Sequence, residues 1–253
     1  MIKKILVQSW VWMVVVGLSA CGESKTEVVA SSQLDAMSEH ERLNAYLAEV
    51  YEENLTRRPF TASYLGRKDR QGEWNSQSEA FQDEERTITN QRLAELDGFD
   101  REALPPAGQL SLDLYQMSLE RSQMMDDFRH HQYAIHQYRG AHTSIPSSLI
   151  NIHSIQSVGD AEAYIDRLNN VRTVMDEMIE QLSIRADKGL QLVDWMYPKI
   201  KVSATNVITG QPFDDSDKES PVWSDFQTKV RALELPESEE ARLINGAREA
   251  LIG

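Results

Sequence analysis

Cysteine is almost missing from this chain: of 253 residues only Cys21 is one. No intramolecular disulfide can form, even in a compartment that would permit it. Positive charge is also in short supply. Twenty-six Lys and Arg face 40 Asp and Glu, for a net charge of −14. Nucleic-acid binding needs clustered cations to neutralise phosphate, and a peripheral hold on anionic lipid needs them too, so both are excluded. The acidic excess is read as a solubility device. The sequence has no alternating β pattern of useful length and no internal repeat. It has no G-x-S-x-G elbow, no P-loop and no dinucleotide fingerprint. With 41% apolar and 26% charged residues it is an ordinary globular chain, and it is long enough to bury a sizeable core.

What is present begins with the first 21 residues. Lys3 and Lys4 precede a mostly apolar run, Ile5 to Val16, and then Leu18-Ser19-Ala20-Cys21. A charged start, a short apolar segment and small residues before a cut site describe a secretory signal over 1–20. The run is too short and too interrupted, by Gln8 and Ser9, to span a bilayer comfortably. LSAC resembles a bacterial lipobox, which implies that Cys21 is lipidated and anchors the mature chain to the membrane. A plain signal with an incidental cysteine is the weaker alternative, because the chain's one cysteine falls at the required place. Gly22, where Asp would retain such a protein at the inner membrane, resembles the outer-membrane sorting pattern, so the expected location is the outer membrane, facing the periplasm. Residues 21–37 are small and polar and read as a tether.

From Ser38 to Gly253 the pattern is helical, and the predicted fold is all-α, with long antiparallel helices and short loops. Ser38 to Glu41 reads as a capping box before Leu43, Tyr46, Leu47, Val50, Tyr51 and Leu55, and Pro59 ends that helix. A second box is read from Ser76 to Glu79, with a stop at Asp97-Gly98. Pro105 and Pro106 introduce a helix whose predicted buried stripe is Leu110, Leu114, Met117, Met124 and Phe128. The stretch TSIPSSL (143–149) reads as a loop. Asp160 is the expected N-cap of a single long helix with Tyr164, Ile165, Leu168, Val171, Met175, Met178, Ile179 and Leu182 on one face, stopped at Gly189. A helix is expected through roughly 190–207, with Pro198 marking a kink or break. Residues 209–221 form a loop, and two amphipathic helices follow.

Five of the six histidines fall between His130 and His153. A helical zinc pair requires histidines four apart, whereas His131, His136 and His142 are separated by five and six residues. Neutral histidines satisfied by backbone or carboxylate partners are expected instead. His40-Glu41 starts like HExxH, but the fifth residue is Asn44. The acidic run Asp214, Asp215, Asp217 and Glu219 does not fit a calcium loop, because Ser220 and Phe226 stand where Gly and Glu are required. Asp126 and Asp127 are adjacent on a helix and point to different faces, which does not suit shared acid–base work. The lone cysteine is taken up by lipid, so thiol catalysis is excluded. No catalytic residue and no metal ligand is assigned.

RRPFTASYLGRKD (57–69), HQYRGAHTSIPSSLINIH (136–153) and DAEAYIDRLNNVRTVMDEMIEQLSIRADKGL (160–190) together resemble the N-terminal half of the bacterial proteins grouped as domain of unknown function 885. The most specific piece is Asp160, Ala161, Glu162, Tyr164, Ile165, Arg167 and Leu168. The resemblance implies a larger helical, metallopeptidase-like fold of the gluzincin kind, of which residues 38–253 form the N-terminal part. It also implies a lipoprotein, and zinc as a cofactor only in a full-length member, whose HExxPGH helix is absent here. Gln137, Gly140 and His142 match the family's Q-x-x-G region and are expected to line the cleft of such a protein, with a peptide as the expected ligand. Two readings stay open. One is the N-terminal portion of a metallopeptidase-like lipoprotein, inactive alone; the other is a self-standing helical lipoprotein that binds a peptide, polymer or protein without catalysis.

Overall fold

The computed structural model describes residues 37–253. The predicted signal, Cys21 and all of the tether but Met37 lie outside the described residues. Ser38 opens the first helix, α1 (Glu39–Arg57). Its hydroxyl accepts from the Glu41 N–H (3.3 Å), and the Glu41 carboxylate accepts from the Ser38 N–H (2.9 Å). Two otherwise unsatisfied donors are thus satisfied reciprocally, an arrangement whose loss costs about 1 kcal/mol. Pro59 ends α1 and, lacking an N–H, fits the first position of the short α2 (Pro59–Tyr64).

The second capping box does not form. Ser78, not Ser76, is the N-cap of α3 (Glu79–Leu96), and its hydroxyl accepts from the Phe81 N–H (3.2 Å). Ser76 is held instead by Glu177, which accepts from its hydroxyl (2.7 Å) and from the Gln77 N–H (2.6 Å), while Glu180 accepts from the Glu79 N–H (3.0 Å). Carboxylates from a distant helix therefore sit at the positive end of α3, where the peptide dipole favours them. A short 3-10 turn, Arg101–Ala103, leads to α4 (Pro106–Asp126).

The expected inner face of α4 is its outer face. Gly108, Leu112 and Leu119 are buried, and the two leucines cluster with Leu43, Leu96 and Leu104, flanked by Tyr46 and Tyr115. The predicted stripe, Leu110, Leu114, Met117 and Met124, with Phe128 just past the helix end, is more than half exposed at every member. Both faces of α4 are apolar, so periodicity alone admits two solutions, and packing against α1 and α3 selects the second.

TSIPSSL is not a loop. It lies within α5 (Ala141–Asn151), which carries Pro146 inside it. The C-terminal end of α5 is closed by Lys229, whose ammonium donates to the carbonyls of Leu149, Ile150 and His153 at 2.9–3.0 Å, as suits the negative end of a helix. The long helix expected from Asp160 is two, α6 (Val158–Asn169) and α7 (Val171–Asp187), broken at Asn170. The N-cap of α6 is Ser157, which accepts from the Asp160 N–H at 3.2 Å. Asp160 is freed to pair with Lys68 at 2.8 Å. Gly189 does stop α7, at φ +75°, with its N–H on the Ala186 carbonyl. No kink occurs at Pro198, because α8 (Met196–Val207) starts late enough to hold it in its first turn. The last helices are α9 (Pro221–Arg231) and α10 (Glu237–Ile252).

A second core joins α5, α6, α9 and α10 through Leu149, Tyr164, Phe226, Val230 and Leu243. Among the described residues there is no strand, and none of the helices is long and apolar enough to cross a membrane.

Candidate functional site

The histidines do not converge. His130 is buried; its Nδ1 accepts from the Lys188 ammonium (2.6 Å), so Nε2 carries the proton and donates to Glu79 (3.0 Å). His131 is exposed and rests on Phe128. The Nδ1 of His136 accepts from the Tyr138 N–H. His153 is 1% exposed. Its Nδ1 meets the Arg167 guanidinium (3.1 Å) and its Nε2 meets the Asp160 carbonyl (2.9 Å). Arg167 is a donor only, so His153 is the neutral Nε2–H tautomer. Burial, reinforced by Arg167 and Lys229, pushes its pKa down to about 4. Among the described residues no group of three or more His, Cys, Asp or Glu is placed to hold a metal ion.

Arg167 is fully buried and faces no carboxylate. It donates to the Glu73 carbonyl (3.1 Å), Ser63 Oγ (2.7 Å) and His153, and lies over the rings of Phe60 and Trp74. Burial lowers its pKa to about 10, which leaves it charged at neutral pH. This assembly ties α2 to α6 through the fully buried Arg167, whose work is structural.

His142 departs from the expectation of satisfied histidines. Both ring nitrogens are buried with no hydrogen-bond partner, as is Gln137 Oε1. Burial first, and then the nearby His136, lowers the His142 pKa, which keeps the ring neutral. Between them stands Gly140, at φ +148°, where a Cβ would lie 2.6 Å from Ile135 Cγ1 and 3.0 Å from His142 Nδ1. Only glycine fits this conformation and this contact.

Gly140 opens onto a cleft of about 820 Å³ between α3, α4, the segment 128–141 and α7. Of the three residues expected near a cleft, Gly140 is in this wall, while Gln137 and His142 are beside it in the chain but not part of it. Five arginines line the cleft: Arg58, Arg86, Arg129, Arg139 and Arg185. Three are matched by carboxylates. Arg58 pairs with Glu85, Arg86 with Asp83 (3.0 Å) and Asp126 (3.2 Å), and Arg129 with Glu79, Asp83 and Asp126. Burial alone would raise the Glu79 pKa. Hydrogen bonds from His130, Gln181 and Arg129 outweigh it and hold the carboxyl down at about 2.

Among the described residues Arg185 and Arg139 make no salt bridge, although Gln181 links Arg185 (2.7 Å) to Glu79 (3.1 Å) and the charge of Glu79 reaches Arg185. Arg185 is buried and donates only to neutral groups: the carbonyls of Gln132 (2.9 Å), Arg129 (3.2 Å) and Gln181 (2.9 Å), and Gln181 Oε1 (2.7 Å). Arg139 is exposed, and its side chain makes no hydrogen bond within the described residues. By contrast, a groove of about 480 Å³ between α1 and α3 has both its arginines neutralised, Arg92 by Glu53 (2.7 Å) and Arg42 by Glu39 (2.6 Å).

The cleft arginines carry no sequence motif. A signal existed for Arg185, which follows Val174, Met178 and Gln181 on one buried helical stripe. A cation on such a stripe marks a polar cluster rather than a core. The acidic run at 214–219 is a turn in which Asp214 accepts from the N–H groups of Gly210 (2.8 Å) and Ser216 (2.9 Å).

Comparison with known proteins adds a fold and a family. A crystal structure of a protein from Colwellia psychrerythraea, named a "putative lipoprotein", superposes with a TM-score of 0.64 at 14% sequence identity. The superposition covers 85% of this chain and 38% of that one, so this chain spans well under half the length of its structural neighbour. At that identity the likeness establishes the fold alone. No curated protein matches the chain. The model of a bacterial family of unknown function, DUF885, matches residues 59–252, and the chain therefore belongs to the DUF885 family.

Proposed function

We propose that this chain is the N-terminal helical portion of a metallopeptidase-like envelope lipoprotein, anchored through Cys21 at the outer membrane and facing the periplasm. Its contribution is one wall of a peptide-binding cleft rather than the reacting groups. The observation that carries this reading is the outer face of α4. Leu110, Leu114, Met117, Met124 and Phe128 form an apolar stripe interrupted by Arg121, each of the five more than half exposed. A soluble protein seldom leaves such a face uncovered. The length of the structural neighbour supports the same reading, since residues beyond this chain's share would be available to cover it.

Zinc, which the reading implies for a full-length protein, does not fit the residues present. His130 is engaged by Lys188 and His153 by Arg167, where a cation in contact with a ring nitrogen opposes a second one, and His142, whose ring nitrogens have no partner, is not joined by two further donors among the described residues. No step is assigned to zinc through this chain.

The test is direct. Purified residues 22–253 should bind 1-anilinonaphthalene-8-sulfonate strongly and self-associate, and Leu114→Gln with Met117→Gln should suppress both. A monomer that binds no dye and melts cooperatively would overturn the reading, in favour of a self-standing lipoprotein. Hydrolysis of peptides should be absent, and EDTA-sensitive activity from this fragment would refute the non-catalytic assignment.

A further inference from the structure

We propose that the cleft beside Gly140 receives the carboxylate of a short peptide, with Arg139 and Arg185 as its anion-binding groups. The inference deepens the peptide-ligand reading above and rests on it.

Charge is the first argument. The chain carries −14 overall, yet five arginines converge on one cleft. Local carboxylates neutralise three of them. Among the described residues Arg139 and Arg185 have no direct carboxylate partner, and Glu79 reaches Arg185 only through Gln181. A buried guanidinium facing only carbonyls is poorly compensated, because carbonyl dipoles offset less of its lost hydration than an anion would. Burial lowers the Arg185 pKa, and the charge of Glu79 only partly offsets it. Its four bonds leave one of five N–H donors free.

Geometry is the second. The planar guanidinium fork of the exposed Arg139 matches a carboxylate through two parallel N–H···O bonds, which a lysine cannot reproduce, and the one free N–H of Arg185 can add a third. The N-terminus of α5 enters the same wall through Gly140 and Ala141. Gly140 brings no side chain to cap it, so the positive end of the helix dipole adds to the field of the two arginines.

Size and lining decide the class of anion. A cleft of about 820 Å³ suits a ligand of two or three residues. Phe81, Phe128, Tyr133 and Met178 are set among the arginines and offer apolar contact to side chains next to a terminal carboxylate.

The experiment uses the full chain in a mild non-ionic detergent and isothermal titration. The probes are N-acetyl-Ala-Ala-Phe with a free carboxylate, the same peptide as its C-terminal amide, acetate and inorganic phosphate. The free acid should bind, with the amide at least tenfold weaker, as expected for loss of a charge-assisted pair. Arg139→Gln should weaken the free acid about tenfold and leave the amide and the melting temperature unchanged, because Arg139 is exposed and unbonded. Arg185→Lys should also weaken the acid. Should Arg185→Lys fail to fold, the Arg139 comparison alone decides. Equal binding of acid and amide overturns the carboxylate assignment while the peptide reading stands. No binding of either peptide, or binding by acetate and phosphate as tight as by the acid, overturns the inference outright. The dye-binding test of the fragment then still judges the wider reading separately.

Discussion

Replacing His153 by Gln isolates one buried imidazole and makes its contribution measurable. In the native chain His153 accepts from Arg167 and donates to the Asp160 carbonyl. Glutamine offers one acceptor and one donor over a similar span but has no proton to gain. The native imidazole has its pKa pushed from 6.5 down to about 4, chiefly by burial. Between those values the unfolded chain binds a proton at this site that the folded chain does not. Stability from this site is therefore complete above pH 6.5 and falls as the pH drops toward 4. The depression of about 2.5 pH units corresponds to about 3 kcal/mol. Carboxylates held low in the fold, Glu79 and Asp160 among them, also lose stability in acid. They are common to both proteins and largely cancel in the difference. Urea unfolding of the wild type and His153→Gln at pH 7, 5.5 and 4 should show the wild type losing about 3 kcal/mol more than the variant by pH 4. Stability curves for the two proteins that stay parallel across that range would refute the argument. So would a His153 imidazole that titrates near its ordinary value by NMR.

Two further outcomes probe which sequence-level expectations the fold overrode. Leu112→Ala should destabilise by about 3 kcal/mol, because that side chain is buried between α1, α3 and α4. Leu114→Ala, on the stripe the periodicity favoured, should change stability by less than about 0.5 kcal/mol; thermal melts of both variants check the pair. Gly140→Ala should cost about 2 kcal/mol and lower the melting temperature, since it combines a positive φ with a Cβ driven into Ile135.

The sequence by itself settled the helical class and most element boundaries that depend on neighbouring residues. Ser38 with Glu41, Pro59, Gly189 and the final two helices are legible because caps, prolines and left-handed glycines act within a few residues of themselves. Boundaries set by distant partners were not legible. Ser78 rather than Ser76 caps α3, because Glu177 and Glu180, about a hundred residues away, supply the other acceptors. The buried face of α4 was misread because both its faces are apolar and only α1 and α3 choose between them. The cleft was least legible of all. Its arginines lie between positions 58 and 185 with no common period, and which of them lack a carboxylate is a matter of three-dimensional pairing. Local hydrogen bonding is written in consecutive residues, whereas charge compensation is decided only when the chain has folded.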